Sequence, residues 1–214
     1  MGISSAGGKE MHNELVSMMY SKPAGLVFVF HGCNIDTYNA VLLKNEHLKP
    51  SNNLYDWLGN GIYFWENSYE RAAEWAYNKY GEDGRVIGAV LDAGNCLDFT
   101  DYGSMEILKS GYEMLRVNCI AVGEELPQNK VGKTGKDLLL RNLDCAVIQE
   151  IHQYNREFRH ETYDSVRGVF LEGAEVYPGA GIIEKTHTQL CIVNLNCIKG
   201  YFRPLERNKG QRMP

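Results

Sequence analysis

Phe30-His31-Gly32-Cys33 and, further on, Trp57-Leu58-Gly59-Asn60-Gly61-Ile62-Tyr63-Phe64 are the stretches on which the reading of this chain turns. The first closes Leu26-Val27-Phe28-Val29-Phe30, the longest apolar run, which is bounded by Pro23 and Gly25 and reads as a short buried strand. A histidine and a glycine directly after such a strand put an imidazole at the end of a rigid element. The glycine lets a ligand come close to the backbone. The second stretch is a glycine-rich turn that delivers a strand with an aromatic residue in it. Taken singly, each is also what an ordinary strand end or a packed hairpin looks like, so the pair carries more weight than either part.

Working outward, a helix is expected over Ile35–Asn45, and Pro50-Ser51-Asn52-Asn53 is loop chemistry. Ser68 is placed to cap a helix from Tyr69 to Tyr80, with Glu70/Glu74 and Trp75/Lys79 as helical neighbours. Arg85–Asp92 reads as a third strand, Asn95–Asp101 as extended and Met105–Val117 as a helix. Pro127–Lys136 is polar loop, Asp137–Asn142 a helical turn and Cys145–Ile151 a strand. Arg156–Thr162 is charged and exposed, and Ala174–Gly181 is a loop. Late strands are expected at Val166–Leu171, His187–Asn194 and Lys199–Arg203. Short strands mixed irregularly with a few helices indicate an α+β fold rather than a doubly wound sheet. The expected organisation is a mobile arm over 1–22, one domain over 23–206 and a polar tail over 207–214.

Composition narrows the function classes. A chain of 214 residues suits one well-buried domain. With 44% apolar and 23% charged residues it is an ordinary globular composition. No apolar run approaches the ~18–20 residues of a spanning helix, which predicts no membrane association. The opening MGISSAGGKE has no apolar segment and is not a signal peptide, so a cytoplasmic location is expected. The six cysteines form no C-x-x-C pair, so they are expected to be buried reduced thiols with no zinc site. A net charge of −5 argues against a broad nucleic-acid surface, leaving room for a local basic strip. Val131-Gly132-Lys133-Thr134 lacks the first glycine of a phosphate-binding loop, where Pro127 stands instead, and no G-x-S-x-G occurs.

His31-Gly32, a helix, a polar loop and then Gly59-Asn60-Gly61-Ile62-Tyr63-Phe64 before an amphipathic helix together resemble the ADP-ribosyltransferase superfamily, in the branch of poly(ADP-ribose) polymerase and diphtheria toxin. The resemblance is strong over residues 27–76, moderate over 85–101 and absent over 102–165. It implies two small β-sheets packed around an NAD cleft with flanking helices, and NAD as co-substrate. It further implies that His31 bonds the adenosine-side ribose and that the Gly32 backbone holds the nicotinamide carboxamide. Tyr63 would stack on the nicotinamide ring, with Trp75 as a second wall. The catalytic glutamate of the family falls at Gln189 in Thr188-Gln189-Leu190-Cys191-Ile192-Val193-Asn194. A neutral amide accepts a hydrogen bond but supplies no charge, which favours mono-ADP-ribosyl transfer to a macromolecule over polymer elongation. The resemblance and the small size suit an intracellular toxin or defence effector, neutralised by a partner protein, with a protein or a nucleic acid as target.

Other residues compete for roles. Glu172 and Glu184 lie near the last strands in sequence, and either would supply the missing carboxylate or a general base. Glu150 ends an expected strand. Arg167 suits a pyrophosphate. His187 shares a strand face with Gln189, being two residues away. Lys130, Lys133, Lys136 and Arg141, with Arg156 and Arg159, would line a basic groove for nucleic acid. A catalytically silent NAD- or ADP-ribose-binding module is the rival from another class. An NAD-dependent RNA 2′-phosphotransferase is a further alternative, for which the N-terminal segment is too short to form an RNA-binding domain.

Overall fold

The computed structural model describes residues 25–132 and 137–205. The arm and tail expected at the two ends, with Lys133 and Lys136, lie outside these residues. The strands are β1 (Leu26–Asn34), β2 (Ile62–Glu66), β3 (Gly84–Asp92), β4 (Cys96–Asp98), β5 (Ser165–Phe170), β6 (His187–Ile192) and β7 (Ile198–Phe202). The helices are α1 (Ile35–Lys44), α2 (Tyr69–Tyr80), α3 (Tyr102–Val122) and α4 (Asn142–Glu157). The fold is mixed α+β. No helix among the described residues is long and apolar enough to cross a membrane.

The strands form one seven-stranded sheet in the order β4-β5-β6-β2-β1-β3-β7, all neighbours antiparallel except β4 and β5. Two separate packed sheets were expected, and the hydrogen bonding corrects this to one sheet that is split along part of its length. β1 and β2 pair only at Val29↔Glu66 and Phe30↔Trp65. Beyond those pairs, His31 to Asn34 pair with β3, and Ile62 to Phe64 pair with β6. The two halves therefore part between His31 and Tyr63.

β1 runs through His31-Gly32 to Asn34 instead of ending at Phe30, because all nine of its residues find partners on β3. The apolar run, expected to be buried, is so only at Val29, with Leu26 and Phe28 exposed at 61% and 58%, and it does not mark where the ladder stops. Asn34 then caps α1, its side chain accepting from Thr37 N–H at 2.9 Å, and Asn45 ends the helix in the left-handed region at φ 59°. Ser68 precedes α2 but makes no side-chain cap bond. The segment expected as a strand at Cys145–Ile151 lies within α4. Its buried residues, Cys145, Val147, Ile148, Ile151 and His152, follow a helical stripe.

Alternation along the strands sorts the core. Val29, Cys33, Ile62, Phe64, Ile87, Leu190 and Ile192 form one buried cluster with Val41 of α1. On the opposite face, Trp65 and Val86 pack with Ala72 of α2. Further along that face, Val166, Phe170 and Cys191 pack with Val147, Ile148 and Ile151 of α4. α2 and α4 thus cover the two ends of one sheet face and leave its middle open. All six cysteines are free and buried. Burial pushes the Cys33 thiol up to about 12 and the Cys96 thiol to about 11, which keeps these two protonated and poor nucleophiles near neutral pH.

Candidate active site

The split in the sheet is bridged by a side chain. Where β2 no longer pairs with β1, the Tyr63 carbonyl accepts a hydrogen bond from His31 Nδ1 at 2.7 Å. A carbonyl only accepts, so Nδ1 carries the proton and Nε2 of the neutral ring is left as an acceptor. Desolvation lowers the His31 pKa more than this bond raises it, and the nearby Lys79 lowers it further, so the ring stays neutral at pH 7. His31 lies against the buried Phe64 ring at 5.7 Å. Gly32, next along, backs onto α2: a Cβ there would lie 2.6 Å from the Ala72 carbonyl and 3.0 Å from Trp75.

Register places four side chains on the open face. Trp65 sits opposite Gln189, and Tyr63 opposite Cys191. Directly opposed residues of an antiparallel pair share a face, as do residues two apart. Tyr63, Trp65, His187 and Gln189 therefore stand side by side. The Tyr63 hydroxyl donates to Gly59 O at 2.6 Å and accepts from Leu58 N at 2.7 Å, fixing the ring against the turn before it. Gly59 adopts φ +78°, and a Cβ there would meet Gln149 and Ile148 of α4, so this turn requires glycine. Burial raises the Tyr63 pKa far above its ordinary value, so the phenol remains protonated.

α2 supplies the facing wall. Arg71 and Trp75 are one turn apart on it, and Trp75 packs at 5.9 Å on Trp65. Arg71 pairs with Glu172 at 2.9 Å and with Glu74, which also binds Lys185. The cavity between these walls has a volume of about 770 Å³, and His31, Gly32, Tyr63, Trp65, Arg71, Trp75, Glu172 and Gln189 all line it. That size lies within the ~300–1,000 Å³ of small-molecule sites. Among the described residues, Trp65 Nε1 and Arg71 Nε are buried donors with no acceptor. Leaving each unpaired costs about 1–3 kcal/mol. The cavity therefore brings together the His31 imidazole and aromatic faces.

Comparison with protein-family models, curated proteins and solved structures finds no match.

Of the residues expected from sequence, His31, Gly32, Tyr63, Trp75, Glu172 and Gln189 meet at this cavity. Two do not line it. Arg167 stands opposite Leu190, on the sheet face away from Gln189, and its guanidinium is bound by Glu66 at 2.7 Å and by Asp98 at 3.1 Å, so it ties strands together instead of facing a pyrophosphate. Glu184 is exposed, and accepts from Ala174 N at 3.4 Å. Glu150 sits on α4, where Asn118 donates to it at 2.7 Å.

The basic strip is not continuous among the described residues. Arg141 lies over the Trp57 and Phe170 rings and pairs with Asp144. Arg156 is at the other end of α4, roughly 22 Å away at 1.5 Å per residue. Lys130 is exposed and its backbone bridges Leu140.

Trp65, Arg71 and Lys79 also line the cavity and were not singled out from sequence. Period-two spacing from Tyr63 would have found Trp65, and helical spacing back from Trp75 would have found Arg71.

Proposed function

We propose that this chain is an NAD-dependent mono-ADP-ribosyltransferase that modifies a macromolecule. The observation that carries the reading is the convergence of His31, Gly32, Tyr63 and Gln189 on one cleft, which opens where β1 and β2 part. The family resemblance links the same four positions to NAD.

The chemistry follows from the residues. NAD breaks its nicotinamide–ribose C–N bond with the electron pair leaving on nicotinamide. The sugar carbon becomes cationic, a nucleophile of the target bonds to it, and the nucleophile's proton is released. Such a reaction is promoted by holding the leaving ring still and by stabilising the cationic sugar. Tyr63 offers a ring face anchored at its hydroxyl, and Trp75 a second aromatic wall. His31 Nε2 is an acceptor for a ribose hydroxyl. Gln189 Oε1 is a neutral acceptor at the sugar, which suits a single transfer. Glu172 lines the cleft with its Oε1 3.8 Å from His187 Nε2, and is suited to take the proton of the incoming nucleophile.

The test is incubation with labelled NAD and a cell lysate, followed by separate protease and nuclease digestion. Transfer of label that survives one digestion and not the other names the target class. His31→Ala and Tyr63→Ala are expected to abolish labelling and Gln189→Ala to weaken it at least ~10-fold. Undiminished labelling by His31→Ala would sink the assignment. Wild-type protein that binds NAD but releases no nicotinamide, with lysate present, is instead a silent NAD-binding module, the rival that a neutral Gln189 admits.

A further inference from the structure

Gln189 is held by a hydrogen-bond chain whose polarity can be read atom by atom. His187 and Gln189 are both buried, at 5% and 8% exposed, on the same face of β6. His187 Nδ1 lies 2.7 Å from the Lys185 carbonyl, which only accepts, so Nδ1 bears the proton. In the neutral ring Nε2 is then a lone pair, and 2.9 Å from it stands Gln189 Nε2, an amide nitrogen that only donates. Turning the Gln189 amide over would set two acceptors against each other. The tautomer of His187 therefore decides that Gln189 gives its N–H to His187 and keeps Oε1 for the cleft. The imidazole is confined by rings: Trp57 lies 6.4 Å away and nearly parallel, and Phe170 lies 6.0 Å away.

We propose that His187 is a positioning residue, which fixes Gln189 with its carbonyl oxygen toward the cleft and reverses that amide when it gains a second proton. The charged groups around it are Glu172, whose Oε1 is 3.8 Å from Nε2, Arg71 and Glu74 on α2, Lys185 before β6, and Arg141 over the Trp57 and Phe170 rings. Burial and Arg71 oppose the second proton, while the Lys185 carbonyl, Glu172 and Glu74 favour it; the balance lowers the pKa. Once both ring nitrogens donate, Nε2–H faces an amide N–H. A half-turn of that amide relieves the clash by letting Oε1 accept from His187. The cleft then meets NH2, a donor, where an acceptor stood. The consequence for turnover rests on the NAD reading above; the orientation of the amide does not.

Two measurements test it. In protein carrying 15N-labelled histidine, long-range 1H–15N spectra near pH 7 are expected to report His187 with Nδ1 protonated and Nε2 bare. An Nε2–H ring or an imidazolium at that pH overturns the proposal, whether or not the protein turns NAD over. The second measurement is nicotinamide release from NAD by wild type, His187→Phe, Gln189→Glu and the double variant, each first verified as folded by thermal melting. A carboxylate presents an oxygen whichever way it turns, so Gln189→Glu has no orientation to lose. His187→Phe is expected to lower kcat ~10-fold with Gln189 present and less than about 2-fold with Glu at that position. The acid limb of the kcat profile should also disappear in His187→Phe. Equal losses in both backgrounds mean a merely structural histidine and overturn the proposal. If wild type releases no nicotinamide while the spectra give the expected ring, the NAD reading fails and the amide orientation stands.

Discussion

A methyl group added at Gly32 would lie 2.6 Å from the Ala72 carbonyl and 3.2 Å from the Ala76 Cβ, both on α2. Backbone cannot swing aside as a long side chain can, so Gly32→Ala should displace α2 and destabilise by about 1–3 kcal/mol in urea unfolding. Gly32 is thus fixed by helix packing as well as by any approach of a ligand, and an unchanged midpoint would show that α2 yields freely. Tyr63 separates its two jobs in a similar way. Its hydroxyl serves the Leu58–Gly59 turn and its ring faces the cavity. Tyr63→Phe leaves the Leu58 N–H and the Gly59 carbonyl without that partner, at a cost of about 1–3 kcal/mol. Because the ring remains, NAD affinity should stay within about threefold of wild type, whereas Tyr63→Ala should lose it. Comparable loss of affinity in both variants, measured by titration calorimetry, would remove the ring from the binding surface.

Among the elements, Arg167 of β5 joins β4 and β2 by binding Asp98 and Glu66 on the sheet face away from Tyr63, Trp65 and Gln189. Both carboxylates are largely buried, with side chains 12% and 14% exposed. Arg167→Leu should therefore destabilise by about 3–5 kcal/mol, since it strands two buried charges. A pyrophosphate-binding arginine would instead give a raised KM for NAD with stability kept, and that outcome would reinstate the role expected from sequence. Sequence spacing could not reveal this tie, because Glu66, Asp98 and Arg167 meet only through sheet order. The same limit explains the extent of β1. Its apolar run stops at Phe30, but its ladder with β3 continues to Asn34, and a ladder leaves no mark in one strand's own sequence. α2, expected from Tyr69 to about Tyr80, was legible because its apolar stripe and the following Gly81 are local signals. α4 was misread because Cys145–Ile151 is short, apolar and rich in β-branched residues, a run that either element accommodates. Of the cleft, the positions with backbone signatures, His31-Gly32 and the Tyr63 turn, were legible. Trp65 and Arg71 were not, since they join the site only through the register of β2 and the docking of α2.

Taken whole, the molecule holds two buried histidines, His152 and His187, and a half-buried one, His31, whose pKa values are all lowered with desolvation as the largest cause. A lowered histidine pKa means that the unfolded chain binds more protons than the folded one below about pH 6.5. Stability from these groups is thus fully present above that pH and declines as pH falls toward the folded value. His152 is the case best separated from the cleft. It lies in α4 at 3% exposed, its Nε2 has no partner among the described residues, and Arg156 adds to the burial effect to bring its pKa to about 4. From about pH 6.5 to 4 it should account for roughly 3 kcal/mol of acid destabilisation. His152→Leu substitutes an apolar side chain for a buried imidazole with an unpaired nitrogen. At pH 7 it should hold stability within about 1 kcal/mol of wild type. Between about pH 4.5 and 6 the fall in unfolding free energy should be shallower by about 1.4 kcal/mol per pH unit, the share of one proton. Urea titrations across that range measure the slope, and a slope equal to wild type would place the proton uptake at the two cleft histidines instead.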